Sequence, residues 1–459
     1  MAQGHPLPSA SILDELTMKT SILPSASSTS SALDTAAVPR LNGMDRLSRK
    51  LVLNLLAKIQ TGELTLIEQG HTHQFGAPLR LASPAPMPLA TQPLRCEVTV
   101  HHPNFWRDIL LGGSVGAGES YIRGDWTCSD LTALIRIVLR NRPVLDKMDT
   151  RLSRIKAPLQ RLGHRLRRNT RQGSRRNIEA HYDLGNDLFR LFLDTSLMYS
   201  SAIYPTRDSS LDQAATHKLD HICKTLNLQP EDHVLEIGTG WGGFAIHAAR
   251  HYGCHITTTT ISPAQHAEAQ ERVRAAGLED QITLLLKDYR DLEGHYDKLV
   301  SIEMIEAIGH QYLDTYLKQC ERLVRPGGEI LIQAITIDDR QYEAALREVD
   351  FIKQYIFPGG FLPSVTALMK HMTRATQLQV VGLEDIGLHY ARTLFDWRTR
   401  FLARLSEVRK LGYSDAFIRM WIFYLQYCEG AFLEHYISTI QLRLRRPAAI
   451  NLTESKSRA

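Results

Sequence analysis

The spacing of apolar and polar positions divides the chain into stretches of different character. Residues 1–40 show no periodicity and are rich in Ser, Ala, Thr and Pro, as in Ser25-Ala-Ser-Ser-Thr-Ser-Ser31. Such a segment buries too little apolar surface to order itself. From 41 to 150 the pattern predicts a small α+β domain. Leu51–Ala57, Asn104–Leu111 and Leu131–Leu139 carry helical spacing, and Glu63–Gln69 and Glu97–His101 read as strands, with Pro- and Gly-bearing loops between. Residues 151–176 form a linker in which Leu152, Ile155, Leu159, Leu162 and Leu166 recur at helical spacing among arginines, although Pro158 would break a helix there.

From Asn177 to the end at 459 the pattern changes to strand–helix alternation. Strands are expected at Val234–Ile237, Ile256–Thr260, Ile282–Lys287, Lys298–Ile302 and Glu329–Ile337. Helices are expected at Gly243–Arg250, Pro263–Ala276 and Gln311–Leu323, with a turn at Arg325-Pro-Gly-Gly328 and an aromatic, helical tail from Leu394 to about Arg446. Alternation of this kind implies an α/β fold: a mostly parallel, Rossmann-like sheet with helices on both faces, here preceded by the small α+β domain.

Composition changes this picture in one place. The formal charge is +5, but residues 151–176 hold ten Lys/Arg and no acid, so the rest of the chain carries −5. A solvated face and an anionic-membrane docking face both fit that linker. The six cysteines are scattered and none forms C-x-x-C, so neither a zinc site nor a disulfide framework is expected, and no metal. Reduced thiols and an N-terminus carrying Asp14 and Glu15 without a continuous apolar stretch point to a cytoplasmic protein without a signal peptide. No apolar run reaches the roughly 18 residues of a membrane span.

The candidate chemistry lies in His233-Val-Leu-Glu-Ile-Gly-Thr-Gly-Trp-Gly-Gly-Phe244. A strand leads into glycines that let the backbone approach a ligand, and the helix behind them supplies free N–H groups. Gly238, Gly240 and Gly243 also satisfy G-x-G-x-x-G, but no ribose-binding acid follows about 20 residues on. Glu236 would repel a pyrophosphate and suits an ammonium group instead. E-x-G-x-G after a strand resembles the first motif of S-adenosylmethionine-dependent methyltransferases of class I.

Further motifs narrow the resemblance. They are Asn177-Ile-Glu-Ala-His-Tyr-Asp-Leu-Gly-Asn-Asp-Leu-Phe189, Leu193-Asp-Thr-Ser-Leu-Met-Tyr-Ser-Ser-Ala202, Glu303-Met-Ile-Glu-Ala-Ile-Gly-His310 and Tyr355-Ile-Phe-Pro-Gly-Gly-Phe-Leu-Pro-Ser364. Together they resemble the cyclopropane-fatty-acyl-phospholipid synthases, relatives of the mycolic acid cyclopropane synthases. The resemblance implies S-adenosylmethionine contacts at Tyr199, Ser200, Glu236, Gly238, Gly240, Gly242, Thr260, Gln265, Tyr289 and Arg290. It also implies a bicarbonate ion beside the reacting alkene, held by Glu306, the backbone of Ile335, and Tyr390. Ser201 and Gln333 stand where the family has cysteine and histidine; both can still hydrogen-bond an oxyanion.

The expected activity is methylene transfer from S-adenosylmethionine to the cis double bond of unsaturated acyl chains in membrane phospholipids. Methyl transfer leaves a carbocation that aromatic faces stabilise, with Tyr199, Tyr204, Phe351, Tyr355, Phe357 and Tyr390 as candidates. Bicarbonate could then accept the proton, oriented by a Glu306 whose pKa rises beside an anion. A methyl- or methylene-branched product remains open on Ser201 and Gln333. So does a non-catalytic membrane-surface or nucleic-acid binder using the linker, against which the intact motif residues argue. His181 reads as a core hydrogen-bonding residue. The partners implied are phospholipid and an anionic membrane surface, not nucleic acid; a homodimer is left open.

Overall fold

The computed structural model describes residues 41–78, 94–143, 145 and 185–448. Expectations for 1–40, for the linker 151–176 and for His181 lie outside the described residues. The first part runs α1 (Gly43–Leu56), β1 (Gly62–Glu68), β2 (His71–Ala77), β3 (Arg95–Val100), α2 (Asn104–Arg123), β4 (Trp126–Cys128) and α3 (Leu131–Arg140). Its sheet has the order β2-β1-β3-β4. Alternation along β1 turns Leu64 and Leu66 inward, and α3 closes over them with Leu131 and Ile137.

The second part runs α4 (Asn186–Arg190), α5 (Leu211–Thr225), β5 (His233–Ile237), α6 (Gly243–Tyr252), β6 (His255–Thr260), α7 (Pro263–Ala276), β7 (Ile282–Leu286), β8 (Tyr296–Ile302), α8 (Leu313–Leu323), β9 (Val324–Ile337) and α9 (Asp339–Ala345). Then come α10 (Val365–Ala375), β10 (Gln379–Asp385), α11 (Gly387–Ala403), α12 (Leu405–Lys410), α13 (Asp415–Leu433) and β11 (Ile437–Arg445). The seven-stranded sheet has the order β10-β11-β9-β8-β5-β6-β7. Strands β5 to β9 are parallel, and β11 and β10 add antiparallel at one edge. The order reverses at β5, which opens a ligand crevice at the carboxyl ends of β5 and β8.

The two parts share one apolar cluster, in which Leu64, Val98 and Trp106 join Trp397, Trp421 and Phe423. Glu434 clamps the junction, accepting from Arg136 Nε at 2.8 Å and Arg140 Nε at 2.6 Å. Among the described residues no helix is long and apolar enough to cross a membrane.

The five parallel strands fall where periodicity puts them; the differences lie at the edges. The tail expected to be helical ends in β11, because Ile440, Leu442 and Leu444 alternate with Gln441 and Arg443 and pair with β9. Strand β10 carries mostly exposed residues, so its sequence lacks the buried-strand signal. Strand β2 was expected as loop for the same reason: only His73 and Phe75 are not fully exposed. Helix α2 continues twelve residues past Leu111, across a break at Gly113 with φ 54° and ψ −133°. Beyond it, Gly116 and Gly118 pack backbone-close, and a Cβ on Gly118 would meet the Phe351 ring at 2.3 Å. Small residues therefore do the packing here, and they leave no apolar periodicity in the sequence. The expected turn 325–328 is a bulge inside β9, where pairing jumps from Tyr296↔Val324 to Lys298↔Glu329.

Candidate active site

The glycine loop after β5 is anchored from behind. The N–H groups of Gly238 and Thr239 donate to the carbonyl of Thr259 at 3.1 and 3.0 Å. Gly238 has φ 107° and Gly240 φ 53°, in the left-handed region that disfavours side chains. A Cβ added to Gly240 meets nothing within 4 Å, since its outer face opens on the crevice. Gly242 differs from the expectation. It caps α6 at φ 84°, a left-handed conformation that favours glycine, and it does not line the crevice.

The other expected cofactor residues gather around this loop. Tyr199, Ser200, Glu236, Thr260, Gln265, Tyr289 and Arg290 all line one cavity with Gly238 and Gly240. Glu236 is buried and accepts from Thr258 Oγ1 at 2.6 Å; burial pushes its carboxyl up to about 8. A buried carboxyl of this kind gains most from an arriving cation. Thr260 Oγ1 donates to Gln265 Oε1 at 3.0 Å, and Ser262 caps α7 through the N–H of Gln265. Arg290 pairs with Asp288 at 2.7 Å and lies over the rings of Tyr289 and Tyr312.

The cavity continues from this crevice into the first part of the chain, for a total of about 1200 Å³. Its far walls are Leu51, Leu55, Leu64, Ile109, Ile135 and Val138, from α1, β1, α2 and α3. At the junction stand Glu303, Glu306 and Tyr390, with Tyr199, Phe357 and Tyr424 as aromatic walls. Tyr199 is set by Trp397, stacked with centroids 5.2 Å apart, and by Tyr424, 2.9 Å between hydroxyls. Three expected aromatic candidates do not line the cavity. Tyr204 donates to Asp396 at 2.8 Å, Phe351 is wholly buried against Phe423, and Tyr355 bonds Glu119.

The expected bicarbonate site is arranged differently. Its donors meet a side chain of the chain itself, Glu303. Glu303 Oε1 accepts from the Ser201 N–H at 2.9 Å and from Gln333 Nε2 at 2.8 Å, and Oε2 accepts from the Tyr390 hydroxyl at 2.9 Å. The Ser201 hydroxyl turns away to the carbonyl of Ala202. The Ile335 N–H donates to Glu306 Oε1 at 2.5 Å. Donors so engaged do not fit a bound bicarbonate, and neither Ser201 nor Gln333 lines the cavity. Glu306 does carry the raised pKa expected of it, about 8, but the causes are burial and then the Glu303 charge.

Two charged residues of this arrangement escaped the sequence reading. Glu303 stands at the carboxyl end of β8, three residues before the acid that the motif singles out, with a left-handed φ of 49°. Lys218 is fully buried and donates to Ser200 Oγ at 3.0 Å. Burial, partly offset by Glu303, Asp194 and Glu236, lowers its ammonium to about 8. A lysine on the apolar face of α5, among Leu211, Ala214, Ala215 and Ile222, was its legible signal.

This sheet order and crevice define a class I S-adenosylmethionine-dependent methyltransferase. Residues 169–442 match the family model described as mycolic acid cyclopropane synthetase. The chain belongs to that family, and it is a methyltransferase of the cyclopropane-fatty-acyl-phospholipid synthase type. It is 38% identical over 390 residues to the tuberculostearic acid methyltransferase UfaA1 of Mycobacterium tuberculosis, covering 83% of this chain and 90% of that one. It is 37% identical over 353 residues to the cyclopropane-fatty-acyl-phospholipid synthase of Escherichia coli, covering 76% of this chain and 88% of that one. The solved cyclopropane synthase MmaA2 of Mycobacterium tuberculosis superposes with a TM-score of 0.55 at 28% identity, over 59% of this chain and 98% of that one.

Proposed function

We propose that this enzyme transfers the methyl carbon of S-adenosylmethionine to the cis double bond of an unsaturated phospholipid acyl chain and closes a cyclopropane ring. The observation that carries the reading is the continuity of the cofactor crevice with a long apolar cavity, with two carboxyl groups at the join. S-adenosylmethionine supplies an electrophilic methyl group. Gly238 and Gly240 leave room for it, and Glu236 offers a carboxylate to its ammonium. The apolar walls exclude water and hold the alkene in line, which supplies much of the rate. Tyr199, Phe357 and Tyr424 line the join, where aromatic rings would stabilise the positive charge that develops on the acyl chain. The linker 151–176, outside the described residues, would dock on anionic lipid through its ten cations.

A second reading, a methyl- or methylene-branched product, is favoured by one observation. The relative named for tuberculostearic acid methylation matches more of this chain than the named cyclopropane synthase does. The test is incubation with labelled S-adenosylmethionine and a monounsaturated phospholipid, followed by mass spectrometry and NMR of the released fatty acids. Ring protons support the first reading and a methyl doublet or exocyclic alkene the second. No label in lipid would overturn both.

A further inference from the structure

Resting on that reading of the site, we propose that the Glu303 carboxylate is the proton acceptor of the reaction, a side chain standing in for the bicarbonate that the family resemblance implies. The geometry is that of an anion cradle already filled. Ser201 N–H, Gln333 Nε2 and the Tyr390 hydroxyl supply three hydrogen bonds of 2.8–2.9 Å to the two oxygens. The Gln333 amide has a fixed sense. Its nitrogen also faces the Ser201 carbonyl at 3.5 Å, and its oxygen accepts from Gln441 Nε2 at 3.0 Å. Three donors suit an ionised carboxylate, which only accepts. Burial pushes the Glu303 carboxyl above the usual carboxylate range, as suits a proton acceptor, and the three hydrogen bonds and the buried Lys218 ammonium offset part of that rise.

Glu306, three residues on, is held in the opposite sense. One oxygen accepts a single N–H, from Ile335, and the other is buried without a partner among the described residues. That suits a neutral acid beside an ionised one, the usual arrangement when two carboxyl groups divide their roles. Backbone strain points the same way. Glu303 keeps a left-handed φ of 49°, a strained conformation for a side chain and one that concentrates at working sites.

The step balances without a further reagent. The alkene π pair bonds the methyl carbon while the C–S bond breaks with its electrons on sulfur. The second alkene carbon is left positive, next to the Glu303 charge. Glu303 takes a proton from the transferred methyl group, and the freed C–H pair closes the third ring bond. In a methylene-branched outcome a hydride first shifts from the methylated carbon to its cationic neighbour; the same carboxylate then takes a proton from the methyl group, and the freed C–H pair forms the exocyclic double bond.

The test uses the full-length enzyme, Glu303→Gln and Glu303→Gly. Turnover of wild type should be the same in carbonate-free buffer and in added bicarbonate. Glu303→Gln should lose at least about 100-fold in kcat, the lower range for a removed general base, with S-adenosylmethionine affinity by calorimetry unchanged. Glycine accepts the left-handed φ and leaves the three donors free. The Glu303→Gly protein should therefore bind ¹³C-labelled bicarbonate by NMR, without cofactor or lipid, and regain part of its rate with bicarbonate or formate; wild type should show no such binding. A wild-type enzyme that binds labelled bicarbonate and needs it, or a Glu303→Gln enzyme near the wild-type rate, would overturn the proposal. So would a folded Glu303→Gly protein that neither binds nor responds. The binding comparison stands whatever the lipid product, so it is separable from the assignment of the reaction.

Discussion

The two ends of the reaction centre are built in different ways. The cofactor end is local: Glu236, Gly238 and Gly240 lie within five residues, and backbone conformation shapes the crevice. The junction with the apolar cavity is assembled from afar. Ser201, Glu303, Gln333 and Tyr390 come from four separate segments and meet through side-chain hydrogen bonds. A local site fails by shape. A dispersed polar site fails by protonation and pairing. Substitutions at the two ends should therefore separate binding from chemistry.

The largest effect is expected at the shaped end. Gly240→Val would put a β-branched side chain into the crevice at φ 53°. The clash falls on the bound cofactor, and a loss of about 100-fold or more in S-adenosylmethionine affinity, about 3 kcal/mol, is expected. Circular dichroism should show the fold retained; unchanged affinity by calorimetry would remove the cofactor assignment.

Glu306→Gln should do the reverse, keeping cofactor affinity and lowering kcat by about 100-fold, since an amide cannot reproduce the neutral acid's hydroxyl. Because burial and Glu303 raise the Glu306 pKa to about 8, its proton is present at neutral pH and lost as pH rises through that value. Wild-type kcat should fall on that limb, and the limb should vanish in Glu306→Gln. A limb that persists in the variant would assign it to another group, such as Lys218.

A smaller effect concerns Glu236, whose carboxyl burial also raises to about 8. The stabilisation from that proton is complete below the ordinary carboxyl range and lost as pH rises through about 8. An arriving ammonium favours the ionised form, so cofactor binding at pH 7 should release close to one proton. Calorimetry in buffers of different ionisation enthalpy reads it directly; a buffer-independent enthalpy would mean that Glu236 does not face the ammonium.

The smallest expected change is at the linker. Replacing Arg165, Arg167 and Arg168 with Gln should weaken sedimentation with anionic vesicles, by about 1 kcal/mol per charge at most, and leave cofactor affinity alone. Sedimentation equal to wild type would move docking elsewhere.

The same contrast explains what could be read from the chain. Strands β5 to β9 and the glycine loop follow from short-range rules: apolar runs, turn residues and positive φ. Edge strands β10 and β2 are mostly exposed and carry no periodic mark. The residues expected to contact the cofactor all line the cavity except Gly242, which caps α6 in a left-handed conformation instead. At the junction, Ser201, Gln333 and Tyr390, expected around a bicarbonate, instead meet on Glu303, a pairing across 102, 30 and 87 residues that short-range rules do not show. Cation-stabilising rings were over-assigned at Phe351 and Tyr355 because core aromatics and cavity aromatics share one composition.

The cavity that runs from the glycine loop into the first sheet has a consequence for the protein's own thermodynamics. Its walls belong to elements from both parts of the chain, and an acyl tail lying in it would touch both at once. Occupancy then becomes a linked equilibrium: a ligand that binds only the folded form adds RT ln(1 + [L]/Kd), about 2.7 kcal/mol at a hundredfold excess over Kd. The melting temperature of this enzyme should thus vary with the lipid around it, and delipidated preparations should melt earlier than those carrying lipid from their source.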